Sequence, residues 1–136
     1  MSVEQRNASG HQISIPESEA KGAGTAGEGL ALGNVVYVKT SDGKRYKHDG
    51  NEAPAGAIVG VCDNTYSTND PMTYFQNADV VPGLSGLTQG TEYWAKEDGT
   101  LDTYGNIGAG KFTRLMGTAI SATALQLQMG EVAQKP

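Results

Sequence analysis

GLSGLTQGTEYWAKEDGTLDT, residues 83–103, is the stretch from which the fold is read most directly. The β-favouring residues Thr91, Tyr93, Trp94 and Ala95 run into an Asp98-Gly99 turn signal, and a shorter return, Thr100-Leu101-Asp102-Thr103, follows. That is the pattern of a β-hairpin with a two-residue turn. The single Trp of the chain lies in the outgoing strand. Large aromatic side chains anchor small cores and interfaces, so Trp94 is expected, with Tyr37, Tyr93 and Phe112, to pack in the core or at a subunit interface.

A similar hairpin stands earlier. Leu32-Gly33-Asn34-Val35-Val36-Tyr37-Val38-Lys39 is β-branched and aromatic, Thr40-Ser41-Asp42-Gly43 is a turn, and Lys44-Arg45-Tyr46-Lys47 begins the return. Beyond a loop rich in Asp, Gly, Asn and Pro at 49–56, the apolar run Ala57-Ile58-Val59-Gly60-Val61-Cys62 predicts a buried strand. Further strands are expected at 72–76, 78–81, 112–120 and 124–129. No stretch carries apolar residues at i, i+3, i+4, i+7 for long enough to predict a helix.

The two hairpins share a pattern. Leu30-x-x-Gly33, Tyr37, Lys39 and Asp42-Gly43 precede Ile58-x-Gly60; Leu87-x-x-Gly90, Tyr93, Lys96 and Asp98-Gly99 precede Leu115-x-Gly117. The offset is 56 to 57 residues throughout, which suggests an internal duplication of a hairpin plus a buried strand. The competing explanation is chance recurrence of Gly and Asp-Gly in a Gly-rich β-chain. Two such units face to face predict an all-β fold, a small β-sandwich or flattened barrel, over residues 30–129. Residues 1–29 then form an extended N-terminal arm and residues 130–136 a C-terminal tail.

The arm is polar and then Gly/Ala-rich, with too few apolar residues for a core. Its one patterned piece is His11-Gln12-Ile13-Ser14-Ile15, in which Ile13 and Ile15 fall on one side of a short strand that Pro16 ends. A strand of this kind adds readily to a neighbour's sheet edge, so these five residues are the expected partner-binding segment. The rival is an arm folded back over its own domain.

Composition excludes several classes. A net charge of −5 and scattered basic residues argue against a nucleic-acid or anionic-membrane partner, because binding by counterion release needs clustered Lys and Arg. No apolar run approaches the ~20 residues of a membrane-spanning helix, and the first twenty residues lack the apolar centre of a signal peptide, so a soluble chain without Sec export is expected. Cys62 is alone, which rules out an internal disulfide and leaves a small buried hydrophobe as its natural role.

Chemistry-bearing motifs are sparse. Gly22-Ala23-Gly24-Thr25-Ala26-Gly27 spells a dinucleotide fingerprint but has neither a hydrophobic strand before it nor a helix after it, so it is expected to be a flexible linker. In Gly105–Lys111, a near miss to a phosphate loop, Phe112 stands where a magnesium-binding Ser or Thr belongs. Asn7-Ala8-Ser9 spells a glycosylation acceptor with no secretory context. His11, His48 and Cys62 are too dispersed for zinc, and Asp63, Asn64, Asn69 and Asp70 lack EF-hand spacing. His48 is expected to be solvated; as a hydrolase base it would lack a nucleophile elbow. Neither a metal nor a cofactor is expected.

The second half of the chain carries a resemblance. Gly83-Leu84-Ser85-Gly86-Leu87-Thr88-Gln89-Gly90-Thr91-Glu92-Tyr93-Trp94, then Asp98-Gly99-Thr100-Leu101, then Met116-Gly117-Thr118-Ala119-Ile120-Ser121-Ala122-Thr123-Ala124-Leu125 resembles a β-module of tailed-bacteriophage virion proteins. The likeness is close over 83–127 and looser over 30–62, and it rests on structural turns. It is similar to modules of head fibres, capsid-decoration proteins and tail fibres. The resemblance implies a non-enzymatic, usually trimeric β-domain on a virus particle, made in the host cytoplasm. On that basis the arm residues His11 to Ile15 are expected to bind the major capsid protein from outside. The alternative is a tail-fibre or baseplate module that reads a host-surface glycan, with Trp94 and nearby tyrosines as a stacking platform. Tyr66, Tyr74, Phe75 and Tyr104 are expected to add aromatic surface.

Overall fold

The computed structural model describes residues 22–136, together with the backbone of two arm strands, β1 (Gln5–Asn7) and β2 (His11–Ile13), which pair antiparallel with each other. The first sheet contains β3 (Gly22–Thr25), β4 (Val35–Val38), β5 (Arg45–Lys47), β6 (Ile58–Cys62) and β7 (Pro71–Phe75), in the order β3-β7-β6-β4-β5. The second contains β8 (Val80–Val81), β9 (Glu92–Ala95), β10 (Leu101–Asp102), β11 (Phe112–Ala119) and β12 (Leu125–Leu127), in the order β10-β9-β11-β12-β8. A last strand, β13 (Val132–Gln134), pairs with the start of β11. The fold is all-β and, among the described residues, every strand ladder is antiparallel and the one α-helix, α1 (Glu52–Gly56), has five residues, too few to leave a periodic signal in the sequence.

The duplication is complete in the strand order. Replacing each strand of the first sheet by the strand five places later reproduces the second sheet. Backbone hydrogen bonds repeat with the same 57-residue offset. Gly33 N donates to Cys62 O at 3.0 Å and Gly90 N to Ala119 O at 2.8 Å, while Cys62 N donates to Asn34 O at 2.8 Å and Ala119 N to Thr91 O at 3.0 Å. Each repeat also has a register slip at the same place: Val36 pairs Gly60 but Tyr37 pairs Ile58, and Tyr93 pairs Gly117 but Trp94 pairs Leu115.

That register aligns Val36 with Tyr93 and Tyr37 with Trp94, one position away from the sequence alignment of Tyr37 with Tyr93. One step along a strand reverses the face a side chain occupies. The main core therefore joins opposite faces of the two repeats. Val35, Tyr37, Val61 and Phe75 of the first sheet pack with Tyr93, Ala119 and Leu125 of the second, whose first-repeat equivalents Val36, Cys62 and Tyr74 lie in a separate cluster with Ala26, Leu30 and Met72. The first sheet curls around that second cluster. Gly27 N donates to Arg45 O at 2.8 Å and Ala26 bridges Arg45 in parallel, so the chain just beyond β3 meets the far edge at β5 and begins to close a barrel.

Three sequence expectations need correction. Residues 22–25, expected as flexible linker within the arm, are strand β3, and their glycines are required by close packing: a Cβ at Gly24 would lie 2.6 Å from Arg45 Nε, and one at Gly22 would enter the Tyr74 ring. Residues 132–134 of the expected tail are β13. The turn at Asp98-Gly99 closes a three-residue loop, because Lys96 N donates to Thr100 O at 2.8 Å, and Gly99 takes the left-handed φ of +86° that such loops need.

Gly60 and Gly117 occupy equivalent positions beside the register slip. A Cβ on either would collide with a carbonyl oxygen of the adjoining strand, that of Phe75 or Gln126. Gly60→Ala and Gly117→Ala are each expected to lower unfolding stability by about 1–3 kcal/mol in urea titrations, since backbone must move to admit the methyl. Gly105→Ala, where nothing lies within 4 Å, is expected to stay within about 0.5 kcal/mol.

Candidate functional site

The four aromatic residues expected as anchors separate into two groups. Tyr37 and Tyr93 are buried in the main core, and the Tyr93 hydroxyl accepts a hydrogen bond from Thr88 N at 2.9 Å. Trp94 follows Tyr93 in the strand, so it faces away from the core and is only half-buried. Phe112 is also half-buried and acts through its backbone, donating from N to Gly50 O at 2.8 Å.

Trp94 is the centre of an aromatic ledge on the outer face of the second sheet. Its ring lies 4.9 Å from that of Tyr104, tilted by 59°, and Lys135 Nζ sits 4.7 Å over the Tyr104 ring. Lys135 is fixed there by donating to Tyr104 O at 2.9 Å and Ile107 O at 3.1 Å, so β13 serves to hold the ledge. Asp102 pairs directly across from Trp94 and accepts hydrogen bonds from Asn106 Nδ2 at 2.9 Å and Thr103 N at 2.8 Å. The Asn106 bond chiefly holds its carboxyl below the usual range, with Lys96 Nζ 3.5 Å away. Rings flanked by a carboxylate, an amide and an ammonium can stack on an apolar ligand face and hydrogen-bond its edge. Tyr104, Asn106 and Lys135 were not legible as a group: Lys135 is separated from Tyr104 by 31 residues and reaches it only through the β13 pairing.

The expected aromatic surface is smaller than composition suggests. Tyr74 and Phe75 are buried, and Tyr66 and Tyr104 are half-buried. Tyr66 donates its hydroxyl proton to Asp63 Oδ1 at 2.6 Å. In the arm, His11, Gln12 and Ile13 form β2, whereas Ser14 and Ile15 lie outside the described residues.

His48, expected to be solvated, is 1% exposed. Its amide donates to Val35 O at 2.9 Å and its Nε2 lies 2.8 Å from Phe112 O, so it joins the first repeat to β11 of the second. A carbonyl only accepts, so Nε2 carries the proton and Nδ1 is left as a buried acceptor without a partner among the described residues. Burial pushes its pKa below the ordinary value. Enclosed in this way, the imidazole has no access to a substrate. Burial also raises the thiol pKa of Cys62, whose Sγ is 3.1 Å from Asn64 O. Among the described residues no group of three or more His, Cys, Asp or Glu side chains is placed to hold a metal ion, and no helix is long and apolar enough to cross a membrane.

Comparison with protein-family models and with curated proteins gives no match for this chain.

His48 sets a pH dependence. Unfolded histidine takes up a proton near pH ~6.5, while folded His48 resists doing so, so the unfolded state binds more protons below that pH. Stability from His48 is fully present above the unfolded pKa and is lost as pH falls towards the depressed folded value. His48→Gln places an amide nitrogen where Nε2 sits and cannot titrate. Thermal melts between pH 7 and pH 5 are expected to show a smaller fall for His48→Gln than for the wild type.

Proposed function

We propose that this chain is a structural protein of a bacteriophage particle, a capsid decoration (cement) or head-fibre protein that binds the outside of the major capsid protein through its N-terminal arm. The observation that carries the reading is the coincidence of the phage-like segment with a structural unit. Residues 83–127 fall within the span of β8 to β12, and an equivalent unit precedes them. In front of both stands an arm in which, among the described residues, β1 and β2 pair with each other and with neither sheet. A duplicated β-scaffold carrying a separate ribbon suits a protein that clips onto a larger shell and has a non-enzymatic, assembled role, as a homotrimer on the virion surface. The burial of His48 speaks against the hydrolase alternative.

A second reading, a tail-fibre or baseplate module for a host-surface glycan, is favoured by the Trp94–Tyr104 ledge, whose rings and polar rim have the chemistry of a sugar platform.

Removal of residues 1–20 separates the two. Because β3 begins at Gly22, both sheets stay whole and the truncated chain is expected to keep the β-sheet circular dichroism and the cooperative unfolding of the full chain. Co-sedimentation with empty capsids of the same phage is expected to be lost; undiminished binding overturns the anchoring role. Binding to a glycan array that disappears in Trp94→Ala, with no labelling of heads, favours the second reading instead.

A further inference from the structure

The two repeats differ at one edge. In an antiparallel pair, residues alternate between those whose backbone groups meet the partner and those whose groups face away. Lys39 N donates to Lys44 O at 2.9 Å and Lys96 N to Thr100 O at 2.8 Å, so the next residues, Arg45 and Leu101, turn N–H and C=O to the outer edge. At Arg45 that edge is occupied. Gly27 N donates to its carbonyl at 2.8 Å, Ala26 bridges it in parallel, and Glu28 Oε2 accepts from Lys47 N at 2.9 Å. At Leu101 it is open: Leu84, which stands 57 residues after Gly27, donates to Thr123 O at 3.0 Å instead, and no backbone hydrogen bond reaches the outer edge of Leu101 among the described residues.

A cavity of about 260 Å³ opens at this edge, lined by Leu32, Leu84, Leu87 and Leu101 together with the polar residues Asn34, Ser85 and Thr100. It exceeds the ~150 Å³ that accommodates a benzene ring. Leu32 on its rim is 40% exposed, while Leu84, Leu87 and Leu101 are half-buried against the main core.

We propose that this seam receives the arm of a second copy of the chain, with residues 11–15 added in extended form along β10 and the side chains of Ile13 and Ile15 entering the leucine-lined cavity. The first repeat shows what closes such an edge, an extended segment of this same chain running parallel to the return strand. Ile13 and Ile15 stand two residues apart, about 7 Å along a strand, and present one apolar face. Within the arm ribbon, β2 is paired on one edge only. Twenty-one residues precede Gly22, a reach of up to ~70 Å when extended, against a radius of gyration of ~13 Å for a domain of this size. Among the described residues β1 and β2 pair with each other and with neither sheet, so the second edge of β2 and the seam beside Leu101 are both left for a neighbouring copy. Such a head-to-tail contact is heterologous and makes a ring wherever the rotation between copies closes; closure at three copies is the homotrimer of the proposed function, and only that number rests on it. The inference does not rest on the capsid reading; it narrows the part of the arm left for a shell to residues 1–10.

The test uses the full chain without capsids. Light scattering after size exclusion is expected to give a mass of two or more chains for the wild type and a monomer mass for Ile13→Asp/Ile15→Asp, with an unchanged β-sheet circular dichroism spectrum and a lower melting temperature, because the seam is left open. A monomeric wild type, or a double variant that keeps the wild-type mass, overturns the proposal. The placement is tested by Ile15→Cys/Leu84→Cys under mild oxidation. Disulfide-linked dimers and trimers are expected on a non-reducing gel, absent from either single variant. A monomer with an internal disulfide shows the arm closing its own seam and overturns the exchange, as does failure to cross-link.

Discussion

The register slip beside Gly60 and Gly117 governs the rest of this structure. In each repeat the hairpin and the strand after it are out of step by one residue, and the glycine next to the slip lets the following strand's carbonyl come close enough to continue the ladder. A slip of this kind bends and twists the strand that carries it. Here it is what allows a five-stranded sheet of short strands to curl, and it sets which alternate residues face inward. Everything downstream, from the buried pair Tyr37 and Tyr93 to the outward Trp94, follows from that parity.

Because the repeats use opposite faces against each other, the arrangement is directional. The first repeat is enclosed on both sides, by its own curl and by the second sheet. The second repeat contributes its inner face to the core and leaves Glu92, Trp94, Thr118 and Gln126 on the outside. The junction is made by backbone as much as by side chains: Val35 N donates to Gly99 O at 2.8 Å, Phe112 N to Gly50 O at 2.8 Å, and His48 spans from Val35 O to Phe112 O. A buried imidazole with one nitrogen unpartnered among the described residues is costly, and its position at the joint ties the association of the repeats to the neutral state of one side chain. Sequence divergence between the repeats then has a physical meaning. The first has sealed its outer edge with residues 26–28, whereas the second keeps an open seam and an aromatic ledge.

Much of the fold was legible in the residues. Alternation and β-branching marked β4, β6, β9 and β11, the two Asp-Gly turns marked the hairpins, and the 57-residue spacing marked the duplication. Composition misled where a local pattern has two physical causes. Glycine at 22 and 24 reads as flexibility, yet here it answers the need for a backbone to pass close to Tyr74 and Arg45. His48 reads as solvated because its neighbours Lys47 and Asp49 are charged, and only the packing of β11 against that loop buries it.

By itself, then, the sequence determined the all-β class, the hairpin and strand positions and the repeat, because strand periodicity and turn chemistry act over a few residues and leave a local trace. The tertiary structure alone decided which face of each strand is buried, that β3 and β13 belong to the sheets, that Lys135 holds Tyr104 against Trp94, and that one edge closes while its equivalent stays open. Those outcomes depend on a one-residue register slip and on contacts between residues far apart in the chain, and neither is encoded in the spacing of any single segment.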